Sequence, residues 1–255
     1  MIMAAARNST NNGIDPADGR LEERTKGSPQ GSVISPLLAN LFLHYAFDEW
    51  MRRNYPHVRF ERYADDVVIH AVSRPQAESL RKAVGTRLRQ CGLELHPDKT
   101  RIVYCQDSRR RGKHGHIKFD FLGYTFRPRR AKTRWGRYFT SFLPAISDAA
   151  ANKIRATIRG WRLGATRNNQ SLEMITRFIN PQVRGWVQYY GQYYRSALAS
   201  VLRHLERALV YWVRRKFKRL RRHQRRATYW LGRVARREPH LLYSWQIGFR
   251  PATGQ

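Results

Sequence analysis

Two adjacent carboxylates, in the segment Tyr63-Ala64-Asp65-Asp66, are the residues of this sequence best suited to catalysis or metal binding. Apolar or alternating residues typical of β-strands precede it at 58–62 and follow it at 67–72, so the pattern predicts a hairpin with both acids at its tip. Because neighbouring negative charges repel at a partly buried site, a divalent cation would relieve the cost of holding them together. Carboxylates fixed at a strand end are what magnesium-dependent phosphoryl transfer requires. The alternative is a solvated Asp-Asp turn, because Asp is a common turn residue.

The segment before these acids predicts a tight loop followed by a helix. Gly27, Pro29 and Gly31 allow the backbone to turn and to approach a ligand closely. Ser35 is placed as an N-cap with Pro36 at the first helical position. The apolar residues that follow at helical spacing are predicted to form a core-facing stripe: Leu37, Leu38, Leu41, Phe42, Tyr45 and Trp50.

The segment after the acids predicts a second helix and then two strands. The helix covers about 75–91, opens at Pro75 and closes at Gly92. Its apolar stripe consists of Ala77, Leu80, Val84 and Leu88. Residues 93–105 and 118–126 are both predicted as strands, the second with Phe119, Phe121 and Gly123 in alternation.

These blocks, in this order, resemble the second half of a group II intron reverse transcriptase. GSPQGSVISPLLAN is similar to the fourth conserved block of that family, RYADD to the fifth and catalytic block, GLELHPDKT to the sixth, and FDFLGYTFRPR to the seventh. Farther along, NPQVRGWVQYY and LVYWVRRKFKRL resemble the maturase domain, also called domain X or the thumb. The resemblance covers about residues 20–222. A YADD box alone would fit other reverse transcriptases, whereas the maturase-like block points to group II introns.

The resemblance implies a role for each matching residue. Asp65 and Asp66 would coordinate two Mg²⁺ ions in a polymerase palm, with Tyr63 and Ala64 under the primer end. Lys99 would face the incoming dNTP triphosphate. The nucleotide and template side would be lined by Gly27, Pro29 and Gln30, and the primer grip would be formed by Phe121, Leu122, Gly123 and Tyr124.

Composition limits the classes of protein that the chain can belong to. It has 255 residues, 42% of them hydrophobic, with a net charge of +31 and a pI near 11.3. This charge excludes an ordinary metabolic enzyme and favours nucleic acid as partner, with an acidic membrane surface second. No apolar run approaches membrane-spanning length and no signal pattern opens the chain, so a cytoplasmic location is expected.

Cysteine usage agrees with a reducing compartment. Cys91 and Cys105 are the only cysteines and are expected to be small buried residues. His114 and His116 lie near Cys105, but without a CxxC pair they make a poor zinc site.

Charge is distributed unevenly along the chain. Residues 1–120 hold 20 Lys/Arg against 14 Asp/Glu, and residues 121–255 hold 29 against 4. A boundary near residue 140 is therefore expected between a mixed α/β part and a basic helical part. The predicted organisation is a poorly ordered N-terminal remnant (1–26), a partial reverse transcriptase palm (27–140), a maturase or thumb domain (141–222) and a basic tail (223–255).

The basic half predicts a helical bundle with one apolar seam. Helices are expected at 148–162 and 171–179, with Pro181 interrupting the second, and the clearest helix begins near Ala197. Its core stripe is Leu198, Leu202, Leu205, Leu209 and Trp212. Cations mostly off this stripe are the candidate RNA contacts: Arg184, Arg203, Arg207, Arg214, Arg215, Lys216, Lys218, Arg219, Arg221 and Arg222.

Interleaved aromatic residues could stack on unpaired bases. They include Tyr189, Tyr190, Tyr193, Tyr194, Tyr211, Tyr229 and Trp230. For Trp186 and Trp212, which lie among apolar positions, core packing is the favoured interpretation.

The expected fold is therefore α+β: a partial palm with an antiparallel sheet and a YADD hairpin, followed by an all-α thumb. The family also places a metal-binding Asp on an earlier strand. Asp15 and Asp18 are the only Asp residues before Gly27, in a loop-type sequence, so the polymerase site is expected to be incomplete and the fingers to be missing. A partner chain could supply the missing half.

Three functions compete at this stage. The first is an RNA-directed DNA polymerase of a mobile group II intron that binds template-primer and intron RNA. The second is a non-catalytic maturase that only binds intron RNA and assists splicing. The third is a basic ribosome-associated protein with a chance YADD, which would leave four ordered blocks as coincidence. Removing both acids discriminates between the first two, since a binding-only maturase would keep its splicing assistance.

Overall fold

The computed structural model describes residues 33–110, 112 and 114–254, together with the backbone of residues 2–7. This part of the chain packs as two compact units, Met1–Phe119 and Asp120–Gln255. Helices and short antiparallel strands are mixed in the chain, so the expected combination of α and β structure is confirmed. In the described residues, no helix combines the length and the apolar character that crossing a membrane requires.

The first unit is a small antiparallel sheet with helices. Its elements are β1 (Ile2–Arg7), α1 (Ser35–Leu43), a π-helical turn (His44–Asp48), α2 (Glu49–Asn54), β2 (Phe60–Tyr63), β3 (Asp66–Ile69), α3 (Arg74–Gln90), β4 (Glu94–Leu95) and β5 (Arg101–Ile102). The sheet order is β2-β3-β1-β4, and β5 also pairs with β1. All of the described pairings are antiparallel.

Helix α3 forms as its sequence predicts. The Ser73 hydroxyl accepts a hydrogen bond from the Gln76 amide and caps the N-terminus. Gly92 follows the C-terminal end with a φ of +74°, a conformation that glycine adopts without steric cost. The predicted stripe is buried in the first unit's core: Ala77, Leu80, Val84 and Leu88.

The predicted core stripe of α1 is wrong. Leu37, Leu41 and Tyr45 are 66%, 51% and 64% exposed, and Leu38 and Phe42 are exposed as well. Trp50 alone of the six packs against the core. The buried side chains come instead from a second set at helical spacing: Leu43, Ala46, Phe47 and Met51.

Two apolar stripes at helical spacing therefore compete in this segment, and periodicity alone cannot choose between them. The π-helical turn at His44–Asp48 contains Phe47 and the buried carboxylate of Asp48. Because a π-turn rotates the side chains that follow it relative to a regular α-helix, the stripe at 37–45 is not continued onto the face that meets the sheet.

Replacing Phe47 with Ala should lower the free energy of unfolding by about 3–5 kcal/mol, because Phe47 is fully buried and packs edge-on against Phe60. The matched change Leu41→Ala should cost less than about 1 kcal/mol, because Leu41 is exposed. Chemical denaturation of both variants measures the difference. Equal losses would mean that the 37–45 stripe is part of the core.

The two strands predicted after α3 are shorter and more broken than expected. Residues 93–105 contain β4 and β5 separated by a loop, since Thr100 N donates to His96 O and closes a turn. Residues 118–126 contain a hairpin rather than one strand: β6 (Phe119–Phe121) ends at Leu122-Gly123 and β7 begins at Tyr124. Gly123 therefore lies in a turn and not in an alternating strand.

The second unit combines a three-stranded sheet with a helical bundle. Its sheet has the order β6-β7-β8, with β7 at Tyr124–Lys132 and β8 at Tyr138–Ile146. Its helices are α4 (Asp148–Gly160), α5 (Leu163–Thr166), α6 (Leu172–Tyr190), α7 (Arg195–Lys216), a 3₁₀ turn (Lys218–Leu220), α8 (Gln224–Arg237) and α9 (Tyr243–Gln246). The long β7–β8 hairpin was not predicted from the sequence.

Helix α7 carries the seam of this bundle, as the leucine spacing predicts. Its five stripe residues are all buried: Leu198, Leu202, Leu205, Leu209 and Trp212. Trp186 also packs against this core and stacks on Trp161 with ring centres 5.6 Å apart. Core packing is therefore confirmed for both Trp186 and Trp212.

Helix α6 runs through Pro181 without a break, so the predicted interruption is wrong. A proline inside a helix loses one backbone hydrogen bond and crowds the preceding turn. Here Ile179 and Val183, on either side, are fully buried, and burial of this face offsets that cost. The neighbouring Asn180 side chain bonds to Leu241 O and Tyr243 N, which ties α6 to the C-terminal segment.

The packing of the chain places the boundary between its two parts earlier than the charge distribution does. The compact units divide between Phe119 and Asp120, whereas the change in charge was placed near residue 140. The difference arises because β8 delivers Ile146 into the helical core, so the hairpin belongs with the bundle. Residues 2–7 form β1, although no regular structure was predicted over 1–26, and residues 8–32 lie outside the described part.

The C-terminal segment predicted as a basic tail is part of the second unit's core. The buried side chains include Leu231, Leu242 and Trp245. The backbone of Ala252 passes so close to Gly232 that an added Cβ would lie 2.2 Å from its carbonyl oxygen. Arginines between the apolar positions of α8 hide this amphipathic pattern when only the charge is considered.

Candidate active site and nucleic-acid surface

The two acids lie at a tight antiparallel turn. Strands β2 and β3 pair from Phe60↔Ile69 to Tyr63↔Asp66, which leaves Ala64 and Asp65 as the two-residue connection. Ala64 has a φ of +53°, the left-handed conformation that the preferred two-residue hairpin turns require. Asp65 is exposed and Asp66, on the first position of β3, is partly buried.

Arg62 holds this turn against the preceding helical segment. Its Nε and Nη2 donate to the two carboxylate oxygens of Asp48 at 2.8 and 2.7 Å. Its Nη1 donates to Asn40 Oδ1 at 3.0 Å and to the Ala64 carbonyl at 2.9 Å. Donating these hydrogen bonds to the Asp48 carboxylate raises the pKa of Arg62, although burial opposes this. One guanidinium therefore joins α1, the π-turn and the carbonyl of the strained turn residue.

The electrostatics of the turn disfavour a second negative charge. Burial raises the pKa of the Asp66 carboxyl, the charge of Asp65 raises it further, and Lys99 lowers it. Ionised Asp66 is therefore less stable here than in water, and a nearby cation relieves the penalty. Lys99 is exposed in the loop between β4 and β5, and its charge is close enough to Asp66 to lower the pKa of that carboxyl.

The acid pair fits one side of a magnesium site. No group of three or more His, Cys, Asp or Glu residues within 33–110, 112 and 114–254 could hold a metal ion by itself. Mg²⁺ is commonly held by one or two carboxylates, with water and substrate phosphates as the remaining ligands. Asp65 and Asp66 are carboxylates of this kind, and a cation would compensate the burial of Asp66 and its repulsion by Asp65.

Replacing Arg62 with Ala should lower the free energy of unfolding by about 3 kcal/mol, because it leaves the buried Asp48 carboxylate with only the longer contact, 3.6 Å, to His44 Nδ1. Arg62→Lys should recover only part of this loss, since an ammonium cannot reproduce the bidentate contact. Denaturant titration measures both. Arg59, an exposed arginine on the same segment, provides the control; a loss at Arg59→Ala equal to that at Arg62→Ala would contradict the assigned role.

A second strained turn lies in the second unit. Leu122 and Gly123, with φ of +50° and +76°, form the two-residue loop between β6 and β7. The Tyr189 hydroxyl donates to the Leu122 carbonyl at 2.8 Å, and the Tyr124 hydroxyl donates to the Tyr189 carbonyl. Burial raises the pKa of Tyr124 to about 12, and its hydroxyl accordingly stays protonated. The loop predicted as a primer grip is thus held by Tyr189 from the end of α6, which is itself bonded to Tyr124 on β7.

The predicted RNA-contacting cations fall into two groups. Eight of the ten are exposed to solvent: Arg184, Arg203, Arg207, Arg215, Lys218, Arg219, Arg221 and Arg222. The other two are partly buried and bond to the backbone. Arg214 Nε donates to the Arg221 carbonyl, and the Lys216 ammonium donates to the carbonyls of Asn168 and Gln170 at 3.2 and 2.7 Å. Arg214 and Lys216 therefore have a structural position in the second unit.

A basic cleft between α4, α5 and α7 was missed from the sequence. Its lining includes Arg159, Arg162, His204, Arg207 and Tyr211. Burial lowers the pKa of His204, and the positive charges of Arg207, Arg159 and Arg155 lower it further. Tyr211 is exposed at the rim. The available signal was the position of Arg155 and Arg159 one turn apart on the amphipathic helix α4.

Comparison with known protein families agrees with this organisation. Residues 13–126 match the family described as reverse transcriptase (RNA-dependent DNA polymerase), and residues 151–230 match the group II intron, maturase-specific domain. The first match contains the acid pair and the second contains α7 with its basic surface. The two matches in this order define a reverse transcriptase region followed by a maturase region. The chain belongs to the group II intron reverse transcriptase/maturase family.

Two individual proteins are also similar to parts of the chain. Protein YkfC of Escherichia coli (strain K12) is 29% identical, over 46% of this chain and 36% of that protein. Protein P of woolly monkey hepatitis B virus (isolate Louisville) is 40% identical over 73 residues, which make up 29% of this chain and 9% of that protein. The chain therefore spans little more than a third of one relative and less than a tenth of the other.

Proposed function

We propose that this chain is the polymerase and maturase part of a group II intron protein: an RNA-directed DNA polymerase that also binds its intron RNA. The polymerase part of this proposal rests on the pair of carboxylates at a two-residue turn. Burial and the charge of Asp65 raise the pKa of Asp66, and the charge of Lys99 lowers it. In this proposal the first unit is a partial palm, and the helical bundle of the second unit is the thumb or domain X.

Asp65 and Asp66 would hold Mg²⁺ together with oxygens of the bound nucleotide. Bound magnesium supplies activation of the primer 3′-hydroxyl and neutralisation of the triphosphate, the usual chemistry of nucleotidyl transfer. Lys99 would face the triphosphate of the dNTP. Tyr63, which is exposed next to the acids, would lie under the primer end, and the Leu122-Gly123 turn would hold the primer backbone.

A further carboxylate would have to come from elsewhere. Family resemblance places a third metal-binding Asp on an earlier strand. On the side of β3 away from β2, the neighbouring strand is β1, with Ala5 opposite Asp66, and the β1 sequence IMAAAR contains no acid. We therefore propose that a polypeptide segment outside the described residues, or a partner chain with fingers and the rest of the palm, completes the site. The exposed apolar face of α1 supports such a contact.

A non-catalytic maturase is the second candidate, favoured by the distribution of charge. Residues 121–255 hold 29 Lys/Arg against 4 Asp/Glu, a surplus that needs phosphates as counterions whether or not DNA is synthesised. In this candidate the protein would assist folding and splicing of intron RNA through the second unit alone, and the acids would be dispensable.

The double variant Asp65→Asn/Asp66→Asn should reduce primer extension by about a thousandfold or more, because it removes both carboxylate ligands while keeping side-chain shape. The measurement is synthesis on an RNA template with a DNA primer, dNTPs and Mg²⁺. Glu94→Ala, which removes an exposed acid of the same unit, should leave synthesis unchanged.

Two outcomes separate the candidates. Extension that depends on the acids, together with RNA binding that does not, supports the polymerase. If the unaltered protein, assayed together with the polypeptide that completes the site, promotes intron splicing but extends no primer, and the double variant splices equally well, the binding-only maturase is correct.

Removing two cations of the basic cleft, as Arg159→Gln/Arg207→Gln, should weaken RNA binding. The dependence of log Kd on log salt should fall by about 0.7–0.9 for each phosphate that the variant no longer binds. Titration of the protein against labelled intron RNA at several salt concentrations measures this slope. The charge-matched control is Arg81→Gln/Lys82→Gln on α3, where both side chains are exposed. An equal effect of the control would mean that total charge, and not this cleft, sets the affinity.

A further inference from the structure

The β7–β8 hairpin lies between the two family matches, mostly outside both, since they cover residues 13–126 and 151–230. Its strands pair over their whole length, from Tyr124↔Ile146 to Lys132↔Tyr138. Nine residues of β-strand extend about 30 Å. One end of the hairpin is buried at Tyr124, Ala145 and Ile146, whereas the other end, from Lys132 to Thr140, is almost entirely exposed.

The exposed end has a defined backbone. Thr133 N donates to Arg137 O at 2.8 Å, and Gly136 N donates to Thr133 O at 3.0 Å. Arg137 N also donates to Thr133 Oγ1 at 3.1 Å, and Gly136 has a φ of +86°. These hydrogen bonds preorganise the turn, so little conformational entropy is lost when it binds a partner. Trp135, at the centre of this turn, is 74% exposed.

The charge of the hairpin has a single sign. Between Asp120 and Asp148 the sequence contains six Lys/Arg and no acid: Arg127, Arg129, Arg130, Lys132, Arg134 and Arg137. Arg129 serves the structure, since its guanidinium donates to the carbonyls of Leu143 and Thr125. The cations nearer the turn have no carboxylate within ion-pair distance in the part of the chain that the structure describes.

The cations near the turn lie over aromatic rings instead. The Arg130 guanidinium carbon lies 3.7 Å from the Tyr138 ring centre, and Lys132 Nζ lies 5.6 Å from the same centre. The Arg134 guanidinium carbon lies 4.3 Å from the Trp135 ring centre. A cation over a ring face keeps N–H groups free for phosphate, and the opposite face of an exposed ring can stack on a base.

We propose that the hairpin end, defined here as Arg130, Lys132, Arg134, Trp135, Arg137 and Tyr138, binds RNA at an unpaired nucleotide next to a stem. The indole of Trp135 stacks on the unpaired base, and the four cations contact phosphates on either side. This site rests on the proposed function in one respect, that RNA is the anionic partner of the chain. Its residues differ from those of the acid pair and of the basic cleft.

RNA fits this surface better than an acidic membrane does. At the hairpin end the exposed rings of Trp135 and Tyr138 each lie against a guanidinium, and Phe139 is a further exposed aromatic residue beside them. Positive charge on both sides of Trp135 matches phosphates that flank an exposed base. A lipid surface would instead favour an apolar face opposite a basic one.

The test uses the full-length chain and two labelled RNAs, a hairpin with an unpaired loop and a blunt duplex of the same stem. Trp135→Ala should weaken binding to the loop-containing RNA about tenfold and leave the blunt duplex almost unchanged. Trp135→Phe should retain most of the affinity, because an aromatic face remains. Arg134→Gln/Arg137→Gln should weaken both RNAs and lower the salt slope, with Arg81→Gln/Lys82→Gln as charge-matched control.

The outcomes distinguish this site from the proposed function. If the unaltered protein binds neither RNA, the RNA-binding function fails and the hairpin site fails with it. If the protein binds both RNAs through the basic cleft, but the variants at the hairpin end bind like the control, only the hairpin site is refuted. Binding to phosphatidylserine vesicles that depends on Trp135, without an effect on RNA, would overturn RNA as the ligand. Thermal unfolding confirms that the variants fold.

Discussion

The contact between Arg62 and Asp48 is the interaction on which the candidate active site depends. Both side chains are only 11% exposed, so water can satisfy little of either charge. A buried pair is stable only when geometry is good and the remaining hydrogen-bonding groups are used. Arg62 meets both conditions, because its other amine binds Asn40 and the carbonyl of Ala64. The position of the acid turn relative to α1 is thereby set by one planar side chain, which lysine could not replace.

The contact between Arg62 and Asp48 also depends on the π-helical turn at His44–Asp48. This turn brings Asp48 to the inside of the first unit, where its carboxylate meets Arg62, and Phe47 to the core beside Phe60. This local departure from α-helical geometry is frequent at functional sites. Its consequence is an apolar face on α1 that the described residues do not cover. The arrangement that positions the acids therefore also leaves a surface on which another polypeptide can pack.

The sequence predicted correctly those helices that have a single regular stripe of apolar residues and no competing local effect. The stripes of α3 and α7 are regular, and each is buried as expected. Prediction failed where a local effect competed with the pattern. In α1 two stripes were possible, and at Pro181 packing on both sides overrode a residue that usually ends a helix. The β7–β8 hairpin was missed because its Arg and Pro residues obscure the alternation of a strand, and α8 because arginines dominate its composition.

The two candidate turns show the same way of holding a strained backbone. Ala64 and Leu122 both have positive φ without being glycine, a conformation that costs about 1–3 kcal/mol and persists only where surrounding contacts enforce it. In each case a side chain donates a hydrogen bond to the carbonyl of the strained residue: Arg62, two residues earlier on β2, binds Ala64 O, and Tyr189 on α6 binds Leu122 O. A turn that merely connected two strands could use glycine and avoid the strain. These hydrogen bonds indicate that each strained residue is kept in place to position the residues next to it. Those residues are the acid pair beside Ala64 and the proposed primer grip around Leu122.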